Sequence, residues 1–318
     1  MSASQVSVVI RCLNEEEHVG RLLTGLMRQR RRPDEIVVVD SGSTDATLDI
    51  ASRFPTTIIH IAPGEFSFGR ALNLGCDVAT GDLLVFVSAH VYPVRDTWLD
   101  ELVAPFDRPE VALTYGRQVG NERTRYSEHR ILARWFPPTD DLGQRHPFCN
   151  NANAAVRKAL WAERPYDEEL TGLEDLAWAK AAIEGGKVVV YVAGAAVVHA
   201  HREGFRQVAN RYRREAIAHK AIYHDQRMGR AEAVGLALLN IAGDLAHAAR
   251  EGRLGAAKDI VAFRSAQFLG THQGFAQTGP VGAELKRRFY YPAPPASHRS
   301  APGADPHVID YSHVMEGQ

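Results

Sequence analysis

The first hundred residues alternate short β-branched runs with amphipathic stretches, and that alternation restricts the folds open to the chain. Val6 to Ile10 and Ile36 to Val39 read as strands, separated by Glu15 to Arg31, where Val19, Leu22, Leu23, Leu26 and Met27 fall on one helical face. Two apolar strands joined by such a helix make a βαβ unit, and its crossover requires parallel strands. The pattern repeats. Ala46 to Arg53 reads as a helix introduced by Ser43, Thr44 and Asp45, and Thr57 to Ile61 as a third strand. Arg70 to Ala79 is a helix closed by Thr80-Gly81, Leu83 to Val87 a fourth strand, and Trp98 to Phe106 a further helix. The predicted class is α/β, a mostly parallel sheet flanked by helices.

Open α/β sheets bind ligands at the carboxyl ends of their strands, so the residues at those ends carry the functional information. The fourth strand runs into Ser88-Ala89-His90, and Lys187 to Val198 runs into His199-Ala200-His201. Three imidazoles at two strand ends fit a metal or phosphate site, and equally histidines packed into loops. The first strand ends in Arg11, Asn14, Glu15 and Glu16, and the second in Asp40-Ser41-Gly42-Ser43-Thr44-Asp45. That hexapeptide turns through glycine into a helix. Its carboxylate and exposed amides suit the polar groups of a nucleotide, or serve as a helix cap without a ligand.

Between Val119 and Pro147 periodicity fades, and a polar, arginine-rich segment with Trp135-Phe136-Pro137-Pro138 predicts a long surface loop or flap. Glu174 to Glu184 is a helix ended by Gly185-Gly186. From Phe205 to about Phe275 the chain reads as mostly helical, and Pro292, Pro294, Pro295, Pro302 and Pro306 exclude regular structure at the end. The expected organisation is a catalytic domain over 1–204, a C-terminal helical region over 205–290 and a proline-rich tail over 291–318.

Composition excludes several classes. A formal net charge of -1 over 318 residues argues against a general nucleic-acid binder. Cys12, Cys76 and Cys149 are too far apart for a disulfide framework or a cysteine zinc site, which fits a reducing cytoplasm. No export signal is visible, and the longest apolar window, Ala233 to Gly243, is too short to cross a bilayer. Basic residues do cluster, at Arg28, Arg30, Arg31 and Arg32 and again at Arg202, Arg206, Arg211, Arg213, Arg214 and Lys220. Either cluster suits a phosphate-rich surface or a solvated helix face.

The order of these pieces resembles the family 2 glycosyltransferases of the GT-A fold, whose Rossmann-like sheet is mostly parallel. The segment from Val8 to Glu16 looks like the family's opening strand and turn, and Glu35 to Thr47, EIVVVDSGSTDAT, is close to its nucleotide-binding signature. Phe68 to Gly75 with Ala79 to Asp82, Asn150 to Ala155, and Gly172 to Trp178 are similar to its later motifs. The resemblance covers roughly Val6 to His201, and the helices beyond look like those of rhamnosyltransferase-like members.

The resemblance implies transfer of a sugar, with inversion, from a nucleoside diphosphate donor to an acceptor hydroxyl in surface polysaccharide or lipid-linked glycan synthesis. Asp40 accepts from the base, Asn14 and Glu16 line the base and ribose pocket, and Arg11, Ser41, Gly42, Ser43, Ser88 and Ala89 complete the nucleotide site. Arg70 sits near the diphosphate. Asp175 is the expected catalytic base with Glu174 orienting the acceptor, and Asn151, Asn153 and Trp178 belong to the acceptor side. One departure stands out: Ser88-Ala89-His90 replaces the family's Asp-x-Asp triad. Two consequences stay open. His90 and His201 hold Mn²⁺ or Mg²⁺ together with the donor diphosphate, or protonated His90 with Arg70 and His199 neutralises the diphosphate without metal. Expected partners are the nucleotide sugar, a glycan or lipid-linked acceptor, the cytoplasmic face of the inner membrane as a peripheral seat, and a second copy of the chain. Competing readings are a nucleotide-sugar-binding subunit that has lost catalysis, and a metal-dependent phosphoesterase built on the histidines.

Overall fold

The computed structural model describes residues 4–199, 203–291, 309 and 311, so the expected ligand His201 and most of the proline-rich tail lie outside the described residues. The first half alternates strands and helices: β1 (Val6–Cys12), α1 (Val19–Met27), β2 (Glu35–Asp40), α2 (Thr47–Ala51), β3 (Thr57–His60), α3 (Phe68–Val78) and β4 (Leu83–Ser88). There follow β5 (Val91–Pro93), α4 (Trp98–Val103), β6 (Val111–Val119), α5 (Tyr126–Trp135), β7 (Asp141–Gln144), β8 (Asn153–Arg157), α6 (Lys158–Glu163), α7 (Glu174–Glu184) and β9 (Val188–His199). Four more helices complete the chain: α8 (Phe205–Ile222), α9 (Arg230–Arg250), α10 (Ala257–Phe275) and α11 (Ala283–Tyr290).

The strands form one mixed sheet in the order β3-β2-β1-β4-β8-β6-β9-β5, with β7 added beside β9. The pairs β3-β2, β2-β1 and β1-β4 are parallel, so β1, β2 and β4 all end on one edge. Strand β8 runs antiparallel to β4 with Val87 opposite Asn153, and this register brings the residues preceding β8 to that same edge. Side chains alternate between two cores. Val8, Ile10, Val38 and Val85 pack with Leu22, Leu23 and Leu26 of α1, while Val9, Val37, Leu84 and Phe86 pack with Leu72 and Cys76 of α3. Burial on both faces is why these strands read as continuous apolar runs.

The expected loop between Val119 and Pro147 is instead built: it contains the end of β6, all of α5, and β7. Polarity disguised the helix, because the face α5 turns inward is charged. Its Glu128 accepts from Arg211 at 2.9 Å, Arg130 lies 3.4 Å from Asp244, and Arg125, just before it, pairs with Asp259. Asp244 is also bonded by Arg264 at 2.8 Å. These ion pairs tie α5 to the C-terminal helices, where an apolar periodicity would otherwise have announced a helix.

Within the C-terminal region α8 lies against α10 at glycine contacts. A Cβ on Gly270 would meet the carbonyl oxygen of Ala209 at 2.1 Å, and one on Gly274 would meet that of Arg213 at 2.4 Å. A Gly270→Ala substitution therefore forces the two helices apart, and a loss of about 1–3 kcal/mol is expected from such overpacking. Urea unfolding checks this: the midpoint should fall with the slope unchanged.

Candidate active site

The loops after β1 and β2 are laced together over the sheet edge. The Asn14 N–H donates to Ser43 Oγ at 2.9 Å, and Asn14 Oδ1 accepts from the Thr44 N–H at 2.8 Å. The Glu16 carboxylate accepts from the Ala46 N–H at 2.9 Å, and the Glu15 N–H reaches Thr47 Oγ1 at 2.7 Å. Asn14 needs a left-handed backbone, φ 52°, to make these bonds. Asp40 is buried behind the lacing, where Oδ2 accepts from the Gly42 and Ser43 N–H groups at 3.0 and 3.2 Å. Gly42 has φ 100°, which lets the turn fold back on Asp40.

A cleft of about 1800 Å³ opens beside these loops and runs along the strand ends to the C-terminal helices. Glu174 and Asp175 open α7 on its wall, 5 % and 7 % exposed. Leu173, at φ 57°, is the other non-glycine residue in the left-handed region among the described residues, and its turn directs both carboxylates inward. Glu174 is compensated by Arg11 at the end of β1, Nη1 to Oε1 3.3 Å. Asp175 has two amides: the Asn151 N–H donates to Oδ2 at 2.9 Å and the Leu176 N–H to Oδ1 at 2.8 Å. Burial is the main influence on Asp175 and the neighbouring Glu174 charge the next, and against the amides and Arg11 they push its pKa up to about 7.

Facing this pair is an aromatic ring held between two cations. The guanidinium of Arg11 lies 4.6 Å from the centre of Phe68, and that of Arg214, from α8, lies 4.5 Å from it. Arg214 lines the cleft and its buried Nε makes no hydrogen bond. Arg211, one turn earlier, is bound to Glu128 and to Glu203 at 2.9 and 2.7 Å. Of the two expectations for the basic stretch, a phosphate-rich surface or a solvated helix face, the solvated face does not hold at these two positions, which turn inward with side chains 17 % and 19 % exposed. Arg206, by contrast, is exposed.

At the other end of the cleft His90 Nδ1 meets Glu15 Oε1 at 2.7 Å. Burial works against protonation of His90, but the charge and hydrogen bond of Glu15 outweigh it and raise the pKa. His199 stacks on His90 with ring centres 5.1 Å apart and bonds Gln118 through Nδ1 at 2.6 Å, while burial and the His90 charge hold it well below its ordinary pKa. A neutral, buried His199 is thus a packing partner. Among the described residues no three His, Cys, Asp or Glu side chains converge on a space for a metal ion. The described donors, with His90 already held by Glu15, do not by themselves fit the implied divalent ion.

Of the expected nucleotide residues, Arg11, Asn14, Glu16 and Ser88 line the cleft. Asp40, Ser41 and Ala89 are buried behind it, and Gly42 and Ser43 form the outer turn. Arg70 is directed away, paired with Glu168 at 3.4 Å and Glu65 at 3.6 Å. On the acceptor side Asn151 is in place, but Asn153 and Trp178 belong to the core. Asn153 Oδ1 accepts from Trp98 at 2.9 Å and its amide donates to Ala195 O at 2.8 Å, while the Trp178 indole donates to Arg164 O at 2.7 Å. Both were misplaced because a motif position does not disclose which face of the sheet or helix it occupies. Phe68, Arg211 and Arg214 were missed as a set, although the i, i+3 spacing of the arginines would have placed them on one helical face.

A laced turn, parallel strand ends and a buried carboxylate pair meet at one cleft, on a sheet of the GT-A kind. The chain belongs to glycosyl transferase family 2, whose model matches residues 7–165. It is 30% identical over 198 residues to the O-antigen chain rhamnosyltransferase WbaN of Salmonella anatum, covering 58% of this chain and 62% of that protein. With the O-antigen chain rhamnosyltransferase RfbN of Salmonella typhimurium it shares 27% identity over 221 residues, 65% of this chain and 70% of the relative. The fold is similar to that of a mannosyltransferase from Pyrobaculum calidifontis, solved in complex with GDP-Man and Mn²⁺, with TM-score 0.60, 19% identity and coverage of 86% and 88%.

The placement of Asn153 is testable. Asn153→Ala removes the acceptor for the buried Trp98 indole and leaves the Ala195 carbonyl unpaired, which costs about 1–3 kcal/mol per orphaned group. The expected outcome is a lower urea midpoint, with the thermal shift produced by a nucleotide sugar unchanged.

Proposed function

We propose that the protein transfers a sugar, with inversion, from a nucleoside diphosphate donor to an acceptor hydroxyl, and that Asp175 is the base. The observation that carries this is a buried carboxylate whose pKa is pushed up to about 7, on the wall of the cleft beside strand ends. A base works best when its pKa lies near the operating pH. As the acceptor oxygen attacks the anomeric carbon, its proton passes to Asp175, and the bond from that carbon to the diphosphate breaks. The nucleoside diphosphate leaves with the electron pair. One displacement from the opposite face inverts the centre.

The other residues take roles from where they stand. Asn151 holds Asp175 through its backbone amide, and Arg11 pairs with Glu174 beside it. Arg11 and Arg214, both on the cleft, supply positive charge toward the departing diphosphate, a part earlier assigned to Arg70. Asn14, Glu16, Ser88 and the turn at Asp40 to Ser43 bind the nucleotide. If a divalent ion takes part, His90 and His201 would be the residues to hold it, and it would screen the charge of the leaving group. Kinship with the O-antigen rhamnosyltransferases supports a deoxyhexosyl donor and a lipid-linked glycan acceptor. No helix among the described residues is long and apolar enough to cross a membrane. Exposed Val234, Leu238 and Leu239 on α9 support a peripheral seat on the cytoplasmic face, with self-association as the alternative cover for the same face.

Two experiments test this reading. The rate should rise with pH along a limb centred near 7 as Asp175 loses its proton. Glu174→Gln removes a charge that raises the Asp175 pKa and should move that limb to lower pH, whereas Asp175→Asn should lower kcat by about 10²- to 10⁴-fold. In a thermal-shift panel, a deoxyhexose nucleotide should raise Tm of both the wild type and Asp175→Asn. Added Mn²⁺ should raise it further only with donor present if the ion is shared with the diphosphate, and no further rise with any donor would remove the metal role.

A further inference from the structure

The chain has four tryptophans, and three of them are spent on the core. Trp98, Trp161 and Trp178 are 0%, 4% and 4% exposed, and each indole N–H has a protein acceptor. Trp135 is different. It is 49% exposed, stands at the end of α5, and lines the cleft. One face of the indole is stacked on Phe148, centres 4.7 Å apart and planes 29° apart.

The pair is rigid from below. Phe148 packs edge-on against Tyr115 at 5.8 Å and tilted against Phe136 at 5.6 Å, and its carbonyl accepts from the Gln144 amide at 2.6 Å. The turn that ends α5 is pinned as well: Tyr191 donates to Pro137 O at 2.6 Å, and the Ala193 N–H donates to Asp140 Oδ1 at 2.7 Å. Phe148 lies three residues before Asn151, whose N–H holds Asp175, so their Cα atoms are within about 11 Å of each other. An aromatic plane held this way loses little conformational freedom when a ligand covers it.

We propose that Trp135, backed by Phe148, is a platform for a pyranose ring of the acceptor, one residue removed from the hydroxyl that reacts. This rests on the transferase reading and adds to it a second acceptor subsite. A pyranose ring has an apolar face of C–H groups carrying partial positive charge, which complements the electron-rich face of indole, while its edge hydroxyls stay in contact with water and polar groups. Arg134 and Asn150 are among the polar residues that line the same cleft. The selectivity expected is for ring shape: hexopyranosides with an unbroken C–H face stack, and an open-chain polyol does not.

Because the other three tryptophans are buried, acrylamide quenching of the intrinsic fluorescence reads Trp135. Methyl α-rhamnoside, methyl α-mannoside and methyl β-galactoside at high millimolar concentration serve as probes, with glycerol as the open-chain control. At least one glycoside should protect the emission from acrylamide and glycerol should not. Saturation-transfer NMR should show that glycoside's ring C–H protons in contact with the protein, with the signal lost at least severalfold in Trp135→Ala and largely kept in Trp135→Phe. Nucleoside diphosphate binding, measured by thermal shift on the same samples, separates the two levels. If no nucleotide binds the wild type, the transferase reading fails. Nucleotide binding without protection by any glycoside overturns the platform alone, as does protection by anionic phospholipid vesicles in place of glycosides. A Trp135→Ala protein that fails to fold leaves the wild-type quenching and Trp135→Phe to decide.

Discussion

Two adjacent carboxylates are buried at the start of α7, with a close ion pair on only one of them, and the rest of the site is arranged around that imbalance. Arg11 bonds Glu174 across a sequence separation of 163 residues and so joins the end of the first strand to the start of α7. Asp175 receives backbone amides, which favour its charge less than a guanidinium would. Burial then decides the outcome: together with the Glu174 charge, it pushes the pKa of Asp175 up to about 7. Placing it there requires the left-handed turn at Leu173 and the antiparallel insertion of β8, which delivers Asn151. The strain at Leu173, of order 1–3 kcal/mol for such a conformation, is held in place by the packing on either side.

The C-terminal helices complete this site instead of merely extending the chain. The Arg214 guanidinium lies over Phe68, as that of Arg11 does, while Arg211 bridges Glu128 of α5 and Glu203. Around Phe68 the cations of β1 and α8 meet the carboxylates Glu174, Glu128 and Glu203, and Glu15 lies beside His90 elsewhere on the cleft.

Much of the fold was legible in the sequence because β1, β2 and β4 are buried on both faces and leave unbroken apolar runs. The Glu174-Asp175 pair and the Asp40 turn were legible through motif resemblance. Other parts were not, for identifiable reasons. Helix α5 has a charged inner face whose partners, Asp244, Asp259 and Arg211, come from segments more than eighty residues away. The inward course of Arg211 and Arg214 depends on the packing of α8 on α10, which glycine contacts permit and composition does not reveal. Asn153 and Trp178 sit in recognisable motifs, yet their side chains point to the core, since facing follows from register and not from residue type. Trp135 was noticed as part of a loop, but its stacking on Phe148 joins residues thirteen apart across a turn that sequence patterning does not specify.

The most direct test of the account is a titration of the Asp175 carboxyl itself. With aspartate labelled at the carboxyl carbon and Asp175→Asn used to assign the resonance, the chemical shift is followed by NMR from acid to alkaline pH. A midpoint near 7, lowered in Glu174→Gln, is the predicted result. A midpoint close to the ordinary value for aspartate, about 4, would show that the buried pair does not hold Asp175 as a base and would contradict the account at its centre.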